Sequence, residues 1–267
     1  MDVLHLVVLA VIQGVTEFLP VSSSGHLKLV PLFLDVSEHN LILDVAVHVG
    51  TLGAVLMYFW RDILSIILGS LRGMRGRSDP GGRLAALLIV GTVPVVLAGF
   101  LLNQFYPDSF RGLEVVGWAT FGFGLLLLVA DRVGMTLRRI EHLKVSDAVI
   151  IGVAQVLALI PGTSRSGICM TAARMMGLER VDAARFAMLL SIPAILGAGV
   201  LKGIELWKLG DANMTMDALL AAAFAFGTAL ISIHIMLLWL RRATFTIFAV
   251  YRLLLGGFLL AVVYEVF

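Results

Sequence analysis

The chain of 267 residues is 60% hydrophobic and 14% charged, with a mean hydropathy of +0.99. Soluble domains carry roughly 25% charged residues, so a water-facing globule is excluded, and a net charge of +2 gives no footprint for a nucleic-acid partner. The single cysteine, Cys169, excludes an internal disulfide, CxxC redox chemistry and a thiolate zinc site. Neither a basic leader nor a small-residue cleavage site precedes the first apolar run, so Val3–Leu19 is expected to belong to the mature protein. The composition predicts an all-α, multi-pass membrane protein.

A transmembrane helix needs about 20 apolar residues. The stretches 41–60, 84–102, 113–131, 186–201, 217–240 and 245–267 meet that need. Two others are interrupted: 3–34 by Pro20, Ser22–Gly25 and Pro31, and 147–177 by Pro161–Gly167. Each half of these is about 10–16 residues, too short to cross unaided. Non-helical backbone at membrane depth is tolerated only inside protein or beside a wet cavity, so both read as re-entrant helical hairpins. Basic residues crowd 61–83 (Arg61, Arg72, Arg75, Arg77, Arg83), 132–146 (Arg132, Arg138, Arg139, Lys144) and the turn Arg241–Arg242. The segment 103–112 has only Arg111, and 202–216 mixes Lys202 and Lys208 with Glu205 and Asp211. The first group is expected in the cytoplasm and the second outside. The first hairpin then enters from outside, past a loop near Asp35–Asn40, and the second enters from inside.

A shift of 142 residues places Gln13 on Gln155, Ser22 on Ser164, Ser24 on Ser166 and Gly25 on Gly167, with Pro20 and Pro161 one residue out of register. Each half reads as hairpin, span, span, span, and three crossings per half invert the second half. The expected architecture is a single membrane domain, 1–267, built as an inverted-topology repeat. Unit 1 covers about 1–131, a cytoplasmic linker 132–146, and unit 2 about 147–267.

Polarity concentrates where the hairpins break. If the tips meet, Ser22, Ser23, Ser24, Gly25 and His26 face Thr163, Ser164, Arg165, Ser166 and Gly167. Helix N-termini after Gly25 and Gly167 would offer backbone N–H groups and positive dipole ends, and Arg165 a bidentate donor, a set that suits phosphate oxygens. Helix capping alone accounts for the serines equally well. A guanidinium at this depth demands an anion. Gln13 and Glu17 share a helical face at i, i+4. Together they suit a divalent cation; Glu17 also fits a proton-handling base or an ion-pair partner of Arg165 or Lys28. His26 is open to three readings: nucleophile, general acid, or buried structural imidazole. Asp44 and His48 are candidates for an outer shell. His5, His39 and His234 carry no assignment, and Arg174 and Arg252 are expected to snorkel or to pair with interfacial groups.

The stretches QGVTEFLPVSSSGHL, DVAVHVGTLGAV and ALIPGTSRSGICMTAARMMGL closely resemble the bacitracin-resistance type undecaprenyl-diphosphate phosphatases, over essentially the whole chain. The resemblance implies removal of the terminal phosphate of undecaprenyl diphosphate, returning the monophosphate carrier to peptidoglycan assembly. It also implies dependence on a divalent cation, Mg²⁺ or Ca²⁺, and a multi-pass position in the bacterial cytoplasmic (inner) membrane, with a site open to the periplasm. By motif position the acidic pair falls on Gln13 and Glu17, the serines on Ser22 and Ser23, the histidine on His26 and the arginine on Arg165. Gln13 stands where many members carry Glu, which counts against a metal site built on two carboxylates. Arg165, Ser164, Ser166 and the tip amides are expected to hold phosphate, with Ser22, Ser24, Gly25, Thr163 and Gly167 around them. The attacking group is open between His26, Ser23 with His26 as base, and a water activated by His26 or Glu17, with His26 preferred. Expected partners are the lipid substrate and membrane lipids, and a homodimer is left open. The rival reading is a carrier of a polyprenyl phosphate or other anion, because transporters share this plan.

Overall fold

Long runs of Leu, Val, Ile and Ala, punctuated by Pro, Gly and Ser, fold into helices throughout the computed structural model, which describes residues 3–33, 41–105, 112–208 and 216–265. In order these are α1 Val3–Thr16, α2 Ser23–Phe33, α3 Leu41–Tyr58, α4 Trp60–Gly73, α5 Pro80–Phe105, α6 Leu113–Val133, α7 Val145–Val156, α8 Arg165–Met175, α9 Arg180–Lys208, α10 Met216–Leu240 and α11 Thr246–Val263. Among the described residues there is no strand, only the isolated bridge between Arg138 and Leu178. The protein is all-α and multi-pass: α5, α6, α9, α10 and α11 are each long and apolar enough to span.

The expected span 41–60 becomes α3, which bends by 78° into α4. The segment 61–83, expected to be a plain connection, therefore contains a helix. Its apolar positions Trp60, Leu64, Ile67, Leu68 and Leu71 recur at helical spacing, a signal masked by Arg61, Asp62 and the serines among them and by the arginines that follow. The loop around 35–40, with His39, and Arg111 and Asp211 lie outside the described residues.

Both interrupted stretches are helix pairs too short to cross. Helices of 14 and 11 residues (α1, α2) and of 12 and 11 (α7, α8) reach about 16–21 Å at 1.5 Å per residue, against a core of about 30 Å. The hairpins open at opposite ends of the molecule. The open end of α7 and α8 joins the arginine-rich segments: Arg138 donates to the Met176 carbonyl at 3.1 Å and pairs with Asp147, while Arg83 donates to the Glu141 carbonyl at 2.9 Å. The start of α1 instead packs with the starts of α3 and α10, through Leu6, Leu43 and Ala218. Without a hydrophobic drive inside lipid, close helix approach depends on small residues. A Cβ on Gly14 of α1 would lie 2.0 Å from Thr228 Oγ1 of α10, and one on Gly152 of α7 would lie 2.5 Å from the Gly91 carbonyl of α5.

Two arginines depart from the sequence expectation. Arg174 and Arg252 do not snorkel; both are fully buried. At the arginine-rich end Arg174 pairs with Asp131 at 3.0 Å, and Asp131 also receives Arg180 at 2.7 Å and the Phe245 backbone N–H at 2.9 Å. Four helix ends, from α6, α8, α9 and α11, are thereby tied to one carboxylate. Arg252 lies mid-helix on α11 and serves the site.

Candidate active site

Each hairpin turns on the same local device. Ser22 and Ser164, the serines related by the 142-residue shift, both adopt positive φ, 73° and 66°. Each hydroxyl accepts the N–H of a glycine three residues on: Gly25 to Ser22 at 3.2 Å, and Gly167 to Ser164 at 3.2 Å. Each also lies 3.2 Å from the serine hydroxyl two residues on, Ser24 or Ser166. A left-handed non-glycine residue costs about 1–3 kcal/mol and persists only where its surroundings impose it. Here the capping bond turns the chain sharply enough to start α2 and α8 directly after the turns.

The tips touch. The Gly162 N–H donates to Ser24 Oγ at 2.9 Å, Ser166 Oγ donates to the Leu19 carbonyl at 3.0 Å, and Arg165 Nη2 donates to Glu17 Oε1 at 2.7 Å. Between them lies a cavity of about 250 Å³, walled by Glu17, Ser23 and Ser24 on one side and by Ser164, Arg165 and the apolar Leu159–Pro161 on the other. Glu17 Oε2 receives Gln13 Nε2 at 2.7 Å and Ser23 Oγ at 3.4 Å. Arg165 spends a second donor on the Ser191 carbonyl, Nη1 to O at 3.1 Å. A guanidinium has five N–H donors, so Arg165 retains donors for an incoming anion. The ion-pair reading of Glu17 describes its contact with Arg165, and the same two side chains face the cavity.

Other candidates stand behind this front. Gln13, buried, reaches from Glu17 to His48, with Nε2 3.4 Å from His48 Nε2. His48 Nδ1 donates to the Asp44 backbone carbonyl at 2.6 Å, which leaves the His48 ring beside Gln13. His26 does not line the cavity. Its Nδ1 donates to the Ser22 carbonyl at 2.7 Å; because a carbonyl only accepts, Nε2 of the neutral ring is left to accept from Tyr251 at 2.6 Å. Thr163 is buried with no partner for its hydroxyl among the described residues. At Gly167 a Cβ would come within 2.8 Å of Arg252 Nη1, so a larger residue there would displace that guanidinium.

Tyr251 and Arg252 were not assigned to the site from sequence. Arg252 Nη2 donates to the Gly162 carbonyl at 2.9 Å, and its Nε to the Thr120 carbonyl at 3.2 Å. Gly162 itself sits at φ +98°, where a side chain is strained. The available signal was an ionisable residue in the middle of an apolar helix, TIFAVYRLLLGG, which marks function by default.

Among the described residues no three His, Cys, Asp or Glu side chains converge as a metal site. An oxygen-donor set is nevertheless present. Gln13 Oε1 is buried without a hydrogen-bond partner, beside the Glu17 carboxylate and the Ser23 hydroxyl. Mg²⁺ is commonly held by one or two carboxylates together with substrate phosphates, so the residues fit a hard cation shared with a phosphate ligand.

Residues 6–258 match the family described as "Bacitracin resistance protein BacA". The chain is 52% identical to "Undecaprenyl-diphosphatase 1" of Rhodospirillum rubrum, over 99% of its own length and 96% of that protein's. It is 49% identical to "Undecaprenyl-diphosphatase" of Ruegeria pomeroyi and 47% identical to the protein of that name from a Jannaschia species, in both cases over 99% of this chain and 100% of the relative.

Proposed function

The chain belongs to the bacitracin resistance protein BacA family, and from that membership we propose that it is an undecaprenyl-diphosphatase, an integral membrane enzyme that hydrolyses undecaprenyl diphosphate to undecaprenyl phosphate and inorganic phosphate. The observation that carries the reading is the meeting of Glu17, Ser23 and Ser24 with Ser164 and Arg165 around one cavity. The relatives are named as phosphatases along their whole length, which favours an enzyme over a carrier.

The terminal phosphate enters between the tips and takes up the spare donors of Arg165 together with the hydroxyls of Ser24 and Ser164. Placing a guanidinium where charge develops on the equatorial oxygens is the main contribution a protein makes to phosphoryl transfer. Ser23 Oγ, 3.4 Å from Glu17 Oε2, attacks phosphorus while its proton passes to that carboxylate oxygen. The bond from phosphorus to the bridging oxygen breaks, and undecaprenyl phosphate leaves. Glu17 gives that proton up to the departing undecaprenyl phosphate. Water then attacks the phosphoserine and passes a proton to Glu17, which returns it to Ser23 Oγ as the phosphorus–serine bond breaks and inorganic phosphate departs. Ser23 suits the attack better than His26, because Ser23 lines the cavity, whereas His26 is not among the lining residues and has both ring nitrogens engaged. His26 holds the Ser22 carbonyl and with it the first turn. Glu17, Gln13 and Ser23 would hold a Mg²⁺ or Ca²⁺ ion, which when bound supplies positive charge against the diphosphate.

The proposal includes an inverted repeat in the bacterial cytoplasmic membrane, supported by the matching serine turns, by the hairpins opening at opposite ends, and by the exchanged packing of α1 on α10 and α7 on α5. The arginine-rich end faces the cytoplasm, and the site opens toward the periplasm. Purified chain in detergent is expected to release phosphate from a polyprenyl diphosphate in the presence of Mg²⁺ or Ca²⁺. If it releases none, the enzymatic reading is lost. Trapping with terminally labelled substrate should give an acid-stable, base-labile adduct on Ser23; an acid-labile phosphohistidine would move the attack back to His26.

A further inference from the structure

Helix α4 carries large apolar side chains on the side that faces away from the rest of the protein. Trp60, Leu64, Ile67, Leu68 and Leu71 form one exposed apolar stripe. The opposite face packs inward, with Ile63 and Ile66 against the core and Asp62 and Gly69 beside them. Asp62 pairs with Arg185 of α9, and a Cβ on Gly69 would meet the backbone of Gly82 at 2.4 Å. The 78° bend at Phe59 turns α4 sharply away from the line of α3, as a helix lying along a membrane surface must turn.

Cations flank the stripe. Arg61 stands over the Trp60 ring at 5.2 Å, while Arg72, Arg75 and Arg77 follow at the other end. Of the three carboxylates lining the space beneath α4, Asp62 pairs with Arg185 and Asp79 with Arg72 at 2.8 Å, while Glu141 stands at the far wall beside Arg83. Arg75 and Arg77 are exposed and have no ion pair among the described residues. Beneath α4, a cavity of about 920 Å³ runs to the start of α5, lined both by Arg77 and Arg83 and by apolar Leu84 and Ile89. A guanidinium rim over an apolar wall matches a phosphate headgroup with the first carbons of an acyl chain. A basic amphipathic helix next to a span is the pattern that selects acidic lipid.

We propose that α4 and the cavity under it form a binding site for anionic phospholipid, separate from the cavity between the hairpin tips. The apolar stripe inserts among acyl chains, and Arg75 and Arg77 hold the headgroup phosphate.

The test uses the full chain with Trp118, Trp207 and Trp239 replaced by Phe, leaving Trp60 as the reporter. The protein is reconstituted in phosphatidylcholine vesicles containing brominated phosphatidylglycerol or brominated phosphatidylcholine. Trp60 is expected to be quenched by both lipids and more strongly by phosphatidylglycerol. Arg75→Gln with Arg77→Gln should lower that preference roughly 30-fold, at about tenfold per 1.4 kcal/mol and about 1 kcal/mol per basic residue, and 0.5 M salt should lower it as well. Equal quenching by the two lipids overturns the proposal, as does a preference that survives the double substitution. A Trp60 that neither lipid quenches removes α4 from the membrane surface. Displacement by millimolar inorganic phosphate would assign the site to a soluble anion instead. Phosphate release by the wild-type chain is scored separately, so the two readings can fail independently.

Discussion

Arg165 is the residue on which the two hairpins depend most directly, because its guanidinium bonds Glu17 across 148 positions of sequence and still faces the cavity. Arg165→Ala is expected to lower kcat about 10³-fold, in line with loss of a phosphate-clamping arginine, measured on folded protein because the loss of the Glu17 pair also lowers the melting temperature. Activity within tenfold of wild type would remove the phosphate-binding assignment. Ser23→Ala separates the candidate nucleophiles: it should abolish the labelled adduct, whereas Tyr251→Phe, which removes only the partner of His26 Nε2, should leave the adduct on Ser23. The local motifs made Glu17, Ser23 and Arg165 legible in sequence, since each is costly in hydrocarbon without a purpose. Arg252 was misread because a long arginine side chain on a lipid-spanning helix normally reaches the interface. The depth of its position, and the Gly162 and Thr120 carbonyls that hold it, exist only once α6 and α11 have packed.

At the scale of single elements, the re-entrant turns were legible because Pro, Gly and Ser break apolar runs at matching places in the two halves. The strain inside the turns was not. Gly162 combines φ +98° with a Cβ position 2.4 Å from the Val116 carbonyl. Gly162→Ala should therefore destabilise the fold by about 2 kcal/mol and lower turnover by loosening the Arg165 turn; a variant that melts with the wild type would mean that the turn relaxes freely. Helix α4 escaped the sequence reading because arginines and serines interrupt its apolar stripe. The start of α5, next to it, carries a titration of its own. The Asp79 carboxyl lies below its usual range, chiefly through the Gly81 N–H, with the Arg72 guanidinium adding to the shift and partial burial opposing it. A carboxyl depressed by folding stabilises above its unfolded pKa of about 3.9 and loses that contribution as pH falls through the folded value. Asp79→Asn should therefore be less stable than wild type at pH 7, and the difference should shrink below about pH 4. A difference that is constant with pH would exclude ionisation as its source.

For the molecule as a whole, alternating apolar spans and clustered arginines were enough to specify an all-α multi-pass protein with one basic end. They did not specify which helices meet, because lipid-facing and protein-facing helix surfaces are equally apolar. The Asp131 node illustrates this: Arg174, Arg180 and Phe245 come to it from three other helices. Asp131→Ala leaves Arg174 buried without its carboxylate and should destabilise the protein by about 3–5 kcal/mol, read as a lower melting temperature in detergent; an unchanged melting temperature would mean that the surrounding carbonyls suffice. The 148-residue separation of Glu17 and Arg165 also has a consequence in time. Ribosomes add roughly 5–20 residues per second, so the acidic hairpin emerges about 7–30 s before the arginine that neutralises it exists. Over that interval a carboxylate without its counter-ion favours the wet edge of the bilayer. The first hairpin is therefore expected to settle to its final depth late, drawn in by the second during biogenesis.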